Sequence, residues 1–366
     1  MTEHEALLRL NMTRGIGART YNALIEKFGS PEAVFNASKE ELETIHGVGP
    51  KITTAITVDS KNIDVKHEID LASSKGVQIV PYTSIRYPKQ LKHIYDPPLV
   101  LYIKGDICDT DILAIAIVGA RSCSYYGLTQ AERFGRLLAQ KGICVVSGMA
   151  RGIDAAAHRG AISSGGRTIA VLGCGLGNIY PRENSRLAEQ IAQQGAVISE
   201  FPMSTPPDSR NFPPRNRLIS GLSLGVLVVE SLLNSGSLIT AKWALEQGKE
   251  VFAIPGNIDN AHSRGTNRLI KDGAKLVEDV NDIIQELGPL AEMINLSDET
   301  ETNDPRSLLL NVHEKKIFSL LSGSPQDIDD IIRSSGLPAS IVSSTLMILE
   351  IKKLAKQLAG KRFVKA

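Results

Sequence analysis

The sequence predicts an α/β fold, in which a mostly parallel sheet carries helices on both faces and a small domain flanks it at each end. Three observations support this prediction. Short, nearly continuous apolar runs alternate with amphipathic stretches across the middle of the chain, which is typical of strands buried on both faces. Glycine-punctuated helical patterns precede this region, and three helical stretches with an alternating basic tail follow it. A length of 366 residues suits two or three domains.

Composition argues against several classes of protein. The formal net charge is +1, so no global basic field indicates a nucleic-acid partner, and any such site must be a local patch. The four cysteines are widely spaced and form no CxxC pair, so we predict neither a zinc site nor a disulfide framework. The N-terminus lacks a signal pattern, and no apolar run approaches the roughly 18 residues that span a bilayer. We therefore expect a cytoplasmic protein without metal, cofactor or membrane contact.

Residues 1–65 are predicted to form a small helical domain with an internal near-repeat. Gly15-Ile16-Gly17 and Gly47-Val48-Gly49 each lead into a helical pattern. Each triplet matches the turn of a helix-hairpin-helix (SAM-like) unit, in which small residues let backbone amides at a helix N-terminus approach a DNA phosphate. Tight helix-to-helix turns in a packing domain explain the same glycines equally well. Both interpretations stay open at this point.

Residues 77–288 are predicted to form a Rossmann-like domain. Its strands are expected at 115–118, 144–146, 169–172, 197–198, 226–229 and 251–254, where apolar and β-branched residues are concentrated. In an open parallel sheet, ligands bind beyond the carboxyl ends of the strands. The residues that follow these runs are rich in Gly, Ser, Arg and Asn, so we expect a binding site there.

Two glycine-containing motifs follow the first two predicted strands. Gly119-Ala120-Arg121 places a glycine where the backbone must turn and an arginine at the mouth of the crevice. Ser147-Gly148 begins a glycine-rich stretch that ends at Asp154, the expected N-cap of a helix over 155–163. Backbone amides in such a turn suit an anion.

Two further motifs open predicted helices. Phe212 precedes Arg215-Asn216-Arg217, and Ser235-Gly236-Ser237 forms a cradle of amides and hydroxyls. Each motif taken alone is explained as well by a turn or a solvated rim, and Phe212 by a core position. Together, the arginines and the cradle are expected on one edge of the sheet, which favours a phosphate-bearing ligand because the planar fork of arginine bonds two oxygens at once. Phe212 would then stack on a base of a single strand.

The C-terminal part is predicted to consist of a linker at 289–306 and a winged-helix domain at 307–366. The linker holds two prolines and a cluster of acids with little hydrophobic periodicity. Three helical stretches and an alternating tail follow, which is the outline of a winged helix. The tail carries Lys356, Lys361 and Arg362, which suit phosphates, but the expected recognition helix offers no Arg, Asn or Gln to base edges. Duplex contact, protein binding and packing all stay open.

A specific resemblance rests on the order of the motifs along the chain. They occupy residues 119–121, 147–154, 168–172 with Tyr180-Pro181, 199–202, 212–223, 235–241, 255–256 and 265–267. This ordered set resembles the DNA processing protein A (DprA/Smf) family over roughly residues 80–285. The flanking segments resemble that family's helical N-terminal domain and its winged-helix C-terminal domain.

The resemblance implies a non-enzymatic protein that binds single-stranded DNA, protects incoming DNA and loads RecA recombinase on it during natural transformation. It also implies a homodimer formed through the Rossmann-like domain, and competition with single-strand binding protein. Pro214 departs from the family, which more often has a basic residue there, so part of a basic lip is expected to be missing. Carried over by position, the residues expected at DNA are Gly119, Arg121, Ser147, Gly148, Phe212, Arg215, Asn216, Arg217, Ser235, Gly236 and Ser237.

The main alternative is a nucleoside-monophosphate-processing enzyme of a related Rossmann-like family. Glu230 with Arg121 imitates the acid and arginine of such enzymes, but their Pro-Gly-Gly-x-Gly-Thr stretch is absent from this sequence. A dinucleotide-dependent oxidoreductase would need G-x-G-x-x-G after the first strand, which is absent as well. A pure interaction scaffold would leave the strand-end arginines without a ligand. The surface that would meet RecA and the dimer seam stay open.

Overall fold

The computed structural model describes residues 2–287, 310–352, 354–358 and 360–365. The chain forms two compact units, one with the N-terminal helices and a large sheet and one with the C-terminal helices and a small sheet. The predicted linker at 289–306 lies outside the described residues. Within the described ranges, no single helix has the length and apolar character to cross a membrane; the pair Ile328–Ser335 and Ala339–Glu350 passes that test only jointly and is bent by 114°.

The N-terminal domain consists of helices joined by glycine turns. Gly15 and Gly47 both have φ +89°, a left-handed conformation that favours glycine. Gly17 and Gly49 then serve as the N-caps of two helices without a side-chain hydrogen bond, so the two predicted hairpins share one backbone geometry. The helices are α1 (Glu3–Met12), α2 (Ala18–Phe28), α3 (Pro31–Asn36), α4 (Lys39–Glu43), α5 (Pro50–Thr57) and α6 (Val65–Ser74).

A nine-stranded sheet forms the centre of the same unit. Its strands are β1 (Val77–Pro81), β2 (Val100–Gly105), β3 (Ala114–Val118), β4 (Cys144–Ser147), β5 (Thr168–Leu172), β6 (Ala196–Ser199), β7 (Gly225–Val228), β8 (Glu250–Ala253) and β9 (Lys275–Leu276). Their order is β1-β2-β6-β5-β4-β3-β7-β8-β9. Pairing is parallel from β6 to β9, whereas β1 and β2 are antiparallel at one edge.

The six predicted strands are confirmed as β3 to β8. Every residue of β3 and of β5 is buried, which explains why their sequences are continuous apolar runs. The edge strands β1, β2 and β9 were not predicted. Their partners are distant in the chain, as in the pairing of Tyr102 with Ser199, so a local pattern carries little information about them.

Helices cover the sheet and connect its strands. They are α7 (Lys89–Lys92), α8 (Tyr125–Gln140), α9 (Ile153–Ser163), α10 (Ser185–Gln194), α11 (Phe212–Gly221), α12 (Gly236–Glu246), α13 (Arg264–Lys271) and α14 (Val280–Glu286). Glu68 of α6 ties the N-terminal domain to the loop after β6, since its carboxylate accepts a hydrogen bond from the Met203 amide at 2.7 Å.

The order of the parallel strands reverses at β3. The chain proceeds from β3 through β4 and β5 to β6 on one side, and then returns to add β7, β8 and β9 on the other. Strand β3 therefore pairs in parallel with both β4 and β7. Connections leave the two sides of this point in opposite directions, which opens a crevice beyond the strand ends where ligands of such sheets bind.

The C-terminal unit has the outline that the sequence predicts for a winged helix. It contains α15 (Val312–Leu320), α16 (Ile328–Ser335) and α17 (Ala339–Ile351), with β10 (Gln326–Asp327), β11 (Ala355–Leu358) and β12 (Arg362–Lys365) in the order β10-β12-β11. Inside it, Lys352 bonds the buried Glu314 carboxylate at 2.8 Å. Lys356, Lys361 and Arg362 are exposed on the hairpin.

Candidate functional site

A cleft of about 460 Å³ lies where the strand order reverses, beyond the end of β3 and between α11 and α12. We call it the strand-end cleft. A smaller cavity beside it is lined by Gly148, Arg151 and Tyr180, and the two cavities share Arg121, Ala150, Phe212 and Arg215. The residues of the strand-end cleft that the sequence predicts for the site are Gly119, Arg121, Phe212, Arg215, Asn216, Ser235, Gly236 and Ser237.

Two glycines let the loops after β3 and β4 pack directly against each other. A Cβ on Gly119 would lie 2.6 Å from Cγ1 of Ile153 and 2.9 Å from the Glu230 carbonyl oxygen. Gly152 has φ +74°, and a Cβ there would lie 2.5 Å from the Ala120 carbonyl oxygen. A side chain at either position would therefore force the loops apart.

The loop after β4 wraps around the carboxylate of Asp154. Helix α9 begins at Ile153 with Gly152 as its N-cap, so the prediction that Asp154 caps this helix is wrong. The Oδ2 atom of Asp154 accepts hydrogen bonds from the backbone amides of Gly148 at 3.2 Å and Ala150 at 3.3 Å. These amides are thus occupied from within the protein. Burial raises the pKa of Asp154, although the Arg215 guanidinium opposes this effect.

Arg215 is a buried cation at the inner wall of the cleft. Only 4% of it is exposed, and its Nη1 donates to the backbone carbonyls of Gly148, at 3.1 Å, and Val171. Burial lowers the pKa of this guanidinium to about 10 while Asp154 acts in the opposite direction, so Arg215 is charged at neutral pH. Gly148 leaves room for it, because a Cβ there would lie 2.7 Å from Nη2 of Arg215.

Two guanidinium groups and a second aromatic ring lie around Phe212. Cζ of the exposed Arg121 lies 5.2 Å from the Phe212 ring centroid, and Cζ of Arg215 lies 5.9 Å from it. The Tyr180 ring stacks on Phe212 at a centroid distance of 5.8 Å and an interplanar angle of 30°. Gly173 admits the ring, since a Cβ there would lie 2.6 Å from Cδ1 of Phe212. An aromatic surface therefore lies directly beside two guanidiniums.

The predicted serine cradle is present at the start of α12. Ser235 is the N-cap and its Oγ accepts from the Ser237 amide at 3.4 Å. The two hydroxyls are 2.9 Å apart, and Ser237 Oγ donates in turn to Ser231 Oγ at 3.0 Å. Gly236 is exposed, with nothing within 4 Å of a Cβ on it. The cradle thus combines an open backbone segment with ordered hydroxyls at a helix N-terminus.

Asn216 and Arg217 follow Arg215 in the chain but are used differently. Asn216 is buried and links the two helices, since its Nδ2 donates to the Gly236 carbonyl at 3.2 Å. The guanidinium of Arg217 turns away from the strand-end cleft and binds both oxygens of Glu200, at 2.7 Å and 2.6 Å. The structure therefore differs from the predicted clustering, because Arg217 is 6% exposed and already neutralised.

Ser147 also differs from its predicted place. It is fully buried, and its hydroxyl donates to the Ile117 carbonyl at 2.6 Å, which ties β4 to β3. Ser147 therefore holds the sheet together behind the cleft rather than lining it. The neighbouring Gly148 does reach the smaller cavity.

The sequence reasoning overlooked Tyr180 and Arg151 as residues of the site. Tyr180 follows the glycine-rich segment 173–177, after β5, and only the fold brings its ring onto Phe212. Arg151, on the loop after β4, is exposed and pairs with the carboxylate of Glu183. For Arg151, the available signal was its position just beyond a predicted strand end. For Tyr180, which lies eight residues after the end of β5, spacing gave no such signal.

Comparison with known families agrees with this architecture. The family model described as DNA recombination-mediator protein A matches residues 78–288, which contain the whole large sheet apart from Val77. The chain belongs to the DNA processing protein A (DprA/Smf) family. A DprA winged helix domain model matches residues 302–361, and a SAM-like helix-hairpin-helix tandem model matches residues 7–61. The predicted fold class is thereby confirmed, with its helix-hairpin-helix and winged-helix flanks.

Individual members of the family are similar over much of their length. The Smf protein of Synechocystis is 32% identical over 99% of this chain and 98% of its own. The structure of DprA from Streptococcus pneumoniae is 35% identical, covers 78% of this chain and 98% of its own, and has a TM-score of 0.65. DprA from Helicobacter pylori, whose structure is described as showing a unique single-stranded DNA binding mode, is 33% identical over 57% of this chain, with a TM-score of 0.51.

Proposed function

We propose that this chain binds the backbone of single-stranded DNA in the strand-end cleft, as a binding protein rather than an enzyme. One observation carries the proposal: an exposed guanidinium, Arg121, and a buried one, Arg215, lie beside the same aromatic ring. Phosphate, sugar and base of one nucleotide present anionic and apolar surfaces side by side, which matches this arrangement.

Each group would have a distinct task toward a phosphate. Arg121 is exposed and can present its planar fork to two oxygens. Arg215 stays inside and contributes a positive potential that little water screens, because burial weakens the dielectric response around it. The amide of Gly236 stands at the N-terminus of α12, where the helix dipole also favours an anion.

A single strand suits this cleft better than a duplex. The rings of Phe212 and Tyr180 would stack on a base only if that base were unpaired. A helix or hairpin shaped to enter a major groove is absent from the described rim of the cleft, which consists of loops after strands and two helix N-termini. The relative from Helicobacter pylori supports the same choice, because its structural description concerns single-stranded DNA.

The family relationship supports a wider role for this chain in handling the DNA strand that it binds. In the cytoplasm of a transformable cell, a homodimer of this chain would hold incoming DNA with its bases exposed, so that RecA nucleates in competition with single-strand binding protein. The assay is RecA filament formation on a strand coated with that protein. The chain should shorten the lag before filament growth. With a variant that lacks Arg121, the lag should be as long as in the reaction without the chain.

The direct test is equilibrium binding of fluorescent oligothymidine across a salt series. Wild type should bind the single strand far more tightly than a duplex of equal length, and log affinity should fall linearly with log salt. Arg121→Ala should flatten the slope by roughly 0.7, the value expected for one phosphate contact on a single strand.

A matched control comes from the far edge of the sheet. Arg86 is also exposed, pairs loosely with Asp106 at 3.7 Å, and lies beside β1 and β2. Arg86→Ala should keep the wild-type slope. Equal slopes for Arg121→Ala and wild type, or equal affinity for single strand and duplex, would contradict the proposal.

The nucleotide-processing alternative receives no support from the geometry. The carboxylate that the sequence suggests for it is Glu230, which is 1% exposed and does not line the strand-end cleft. If oligothymidine does not bind, hydrolysis of nucleoside monophosphates becomes the measurement to make.

A further inference from the structure

The loop after β6 contacts both the N-terminal domain and the segment that leads to the strand-end cleft. We call residues 200–208 the β6 loop. The amide of its Met203 donates to the carboxylate of Glu68 at 2.7 Å. The carbonyl of the same residue accepts a hydrogen bond from the amide of Gly177 at 3.0 Å. Met203 therefore joins α6 of the N-terminal domain to the glycine-rich segment 173–177.

The β6 loop and the glycine-rich segment pack main chain against main chain. A second backbone hydrogen bond joins them, from the Gly175 amide to the Thr205 carbonyl at 3.0 Å. A Cβ on Gly177 would lie 2.6 Å from the Met203 carbonyl oxygen, and a Cβ on Gly175 would collide with the Pro202 carbonyl oxygen. Because no side chain separates the two segments, a displacement of the β6 loop displaces the glycine-rich segment as well.

The glycine-rich segment in turn leads to Tyr180, whose ring stacks on Phe212. We call these two rings the aromatic wall of the strand-end cleft. Asn178 fixes the connection at its middle: its carbonyl accepts from the Cys174 thiol at 3.1 Å, and its Nδ2 donates to the Ser204 carbonyl of the β6 loop at 2.9 Å. The Tyr180 ring thus follows two residues after a point that is bonded to the β6 loop.

A buried carboxylate anchors this chain of contacts in the N-terminal domain. Glu68 is 3% exposed, and its carboxylate bonds a backbone amide rather than a cation. Burial and, after it, the nearby Glu68 carboxylate raise the pKa of Tyr102 in β2, so this carboxylate also lies close to the sheet. Burying a carboxylate costs free energy that an apolar side chain would not cost. Packing alone therefore does not account for Glu68, whereas fixing the Met203 amide does.

We propose that Glu68 is a positioning residue for the aromatic wall. It holds the β6 loop, and through the glycine-rich segment it holds the Tyr180 ring in place for stacking on an unpaired base. The N-terminal domain thereby contributes to the cleft without lining it. The inference rests on the proposed function, since it concerns the base of a bound strand. Phosphate binding by Arg121 does not depend on Glu68.

The test separates base stacking from phosphate binding. The full-length protein is titrated with fluorescent oligothymidine and with an abasic strand of equal length, which keeps the phosphates but lacks the bases. Tyr180→Ala should weaken oligothymidine binding by about fivefold, the lower end for one base–aromatic stack, and leave the abasic strand unaffected. Glu68→Ala should weaken oligothymidine binding by about threefold, as partial loss of that stack, with unchanged abasic binding and salt slope.

A double-mutant cycle tests whether the effect of Glu68 passes through Tyr180. In the Tyr180→Ala background, Glu68→Ala should cause no further loss for either strand. Glu68→Gln keeps an oxygen that can accept from the Met203 amide, and should bind oligothymidine as wild type does.

Two further variants separate positioning from folding. Glu41 belongs to the same domain, and its carboxylate also accepts from a backbone amide, that of Ser38 at 2.8 Å, but this bond lies within the domain. Glu41→Ala should therefore bind both strands as wild type does. Asn178 is exposed, so Asn178→Ala keeps the core intact even if Glu68→Ala does not fold. It should reproduce the loss that is specific to oligothymidine.

Three results would overturn this inference alone. They are wild-type oligothymidine binding by both Glu68→Ala and Asn178→Ala, an equal loss for the abasic strand, and a loss on Glu68→Ala that persists in the Tyr180→Ala background. Absence of oligothymidine binding by wild type is a different result, which would overturn the proposed function together with the inference.

Discussion

The two sides of α11 use the same kind of residue for different purposes. Toward the strand-end cleft, Arg215 donates to main-chain carbonyls and is charged beside an exposed second arginine. Two residues later, Arg217 faces the other way and is bound by both oxygens of Glu200. One guanidinium is thus available to attract an anion, whereas the other stabilises the contact between α11 and the loop after β6. An arginine is informative about ligand binding only when its acceptors are known.

The largest effect expected from this comparison concerns folding stability on the Arg217 side. Arg217→Ala leaves the carboxylate of Glu200, whose side chain is 17% exposed, without its partner. We expect the free energy of unfolding to fall by about 3–5 kcal/mol, as when one partner of a buried ion pair is removed. Urea denaturation measures it, with Arg86→Ala as a control that should change stability by less than about 0.5 kcal/mol.

The same variant also tests the division between the two sides. At a temperature where it is folded, Arg217→Ala should keep the wild-type salt dependence of oligothymidine binding. If Arg217→Ala instead lowers the slope of log affinity against log salt by the amount of one phosphate contact, with little loss of stability, then Arg217 belongs to the DNA site. Arg217 and Arg215 would in that case have the same role.

A smaller effect is expected on the Arg215 side from the glycine beneath it. Gly148→Ala places a methyl group 2.7 Å from Nη2 of Arg215 and 2.9 Å from Oδ2 of Asp154. Overpacking of this kind should cost about 1–3 kcal/mol of stability and weaken single-strand binding by displacing the guanidinium.

Gly236→Ala is the matched comparison for Gly148→Ala. Open space surrounds its Cβ position, so stability should change by less than about 0.5 kcal/mol. If a DNA phosphate approaches the backbone amide of Gly236, Gly236→Ala should lower the affinity for oligothymidine and leave the stability unchanged. Stability loss at Gly236 larger than at Gly148 would show that the cleft is packed differently.

A pH-dependent effect concerns a third cation, Lys249, which lies between α12 and β8 and contacts the C-terminal end of α11. Lys249 donates to the carbonyls of Ser220 and Gly221 at the end of α11, at 2.6 Å and 2.7 Å. Burial lowers the pKa of Lys249 from 10.5 to about 8. Between these values the unfolded chain holds more protons than the folded one, so the free energy of unfolding rises with pH.

Because of Lys249, the free energy of unfolding should rise by about 1 kcal/mol between pH 7.5 and 9. Subtracting the pH profile of Lys249→Met from that of wild type, both by urea denaturation, isolates this contribution. Parallel profiles would mean that Lys249 titrates in the folded protein as it does in the unfolded chain.

Much of the fold could be predicted because its signals are local. The apolar runs of β3 and β5 predict buried parallel strands, since both faces of such strands are covered. The helices of the winged-helix domain follow from periodicity in the same way. Strand β2 could not be placed, because its pairing with β6 joins residues as distant as Tyr102 and Ser199.

Part of the site was predictable for a similar reason. Residues just beyond parallel strands converge at one edge of a sheet, which brings Arg121 and the cradle around Gly236 into one cleft. The positions of Asp154 and Ser147 were beyond such reasoning, since their partners are particular amides and carbonyls of neighbouring loops. Tyr180 joined the site through a contact with Phe212 that no spacing indicates.

The sequence by itself determined the kinds of elements, their order along the chain, and the edge of the sheet at which polar residues gather. These properties depend on periodicity and turn chemistry within short windows. Only the tertiary structure decided which cations are neutralised. Arg217 meets the carbonyl of Asp96, 121 positions earlier, and the carboxylate of Glu200, whereas Arg215 meets main-chain carbonyls. The sequence shows which side chains carry a charge, but the packing of distant segments determines which group each charge contacts.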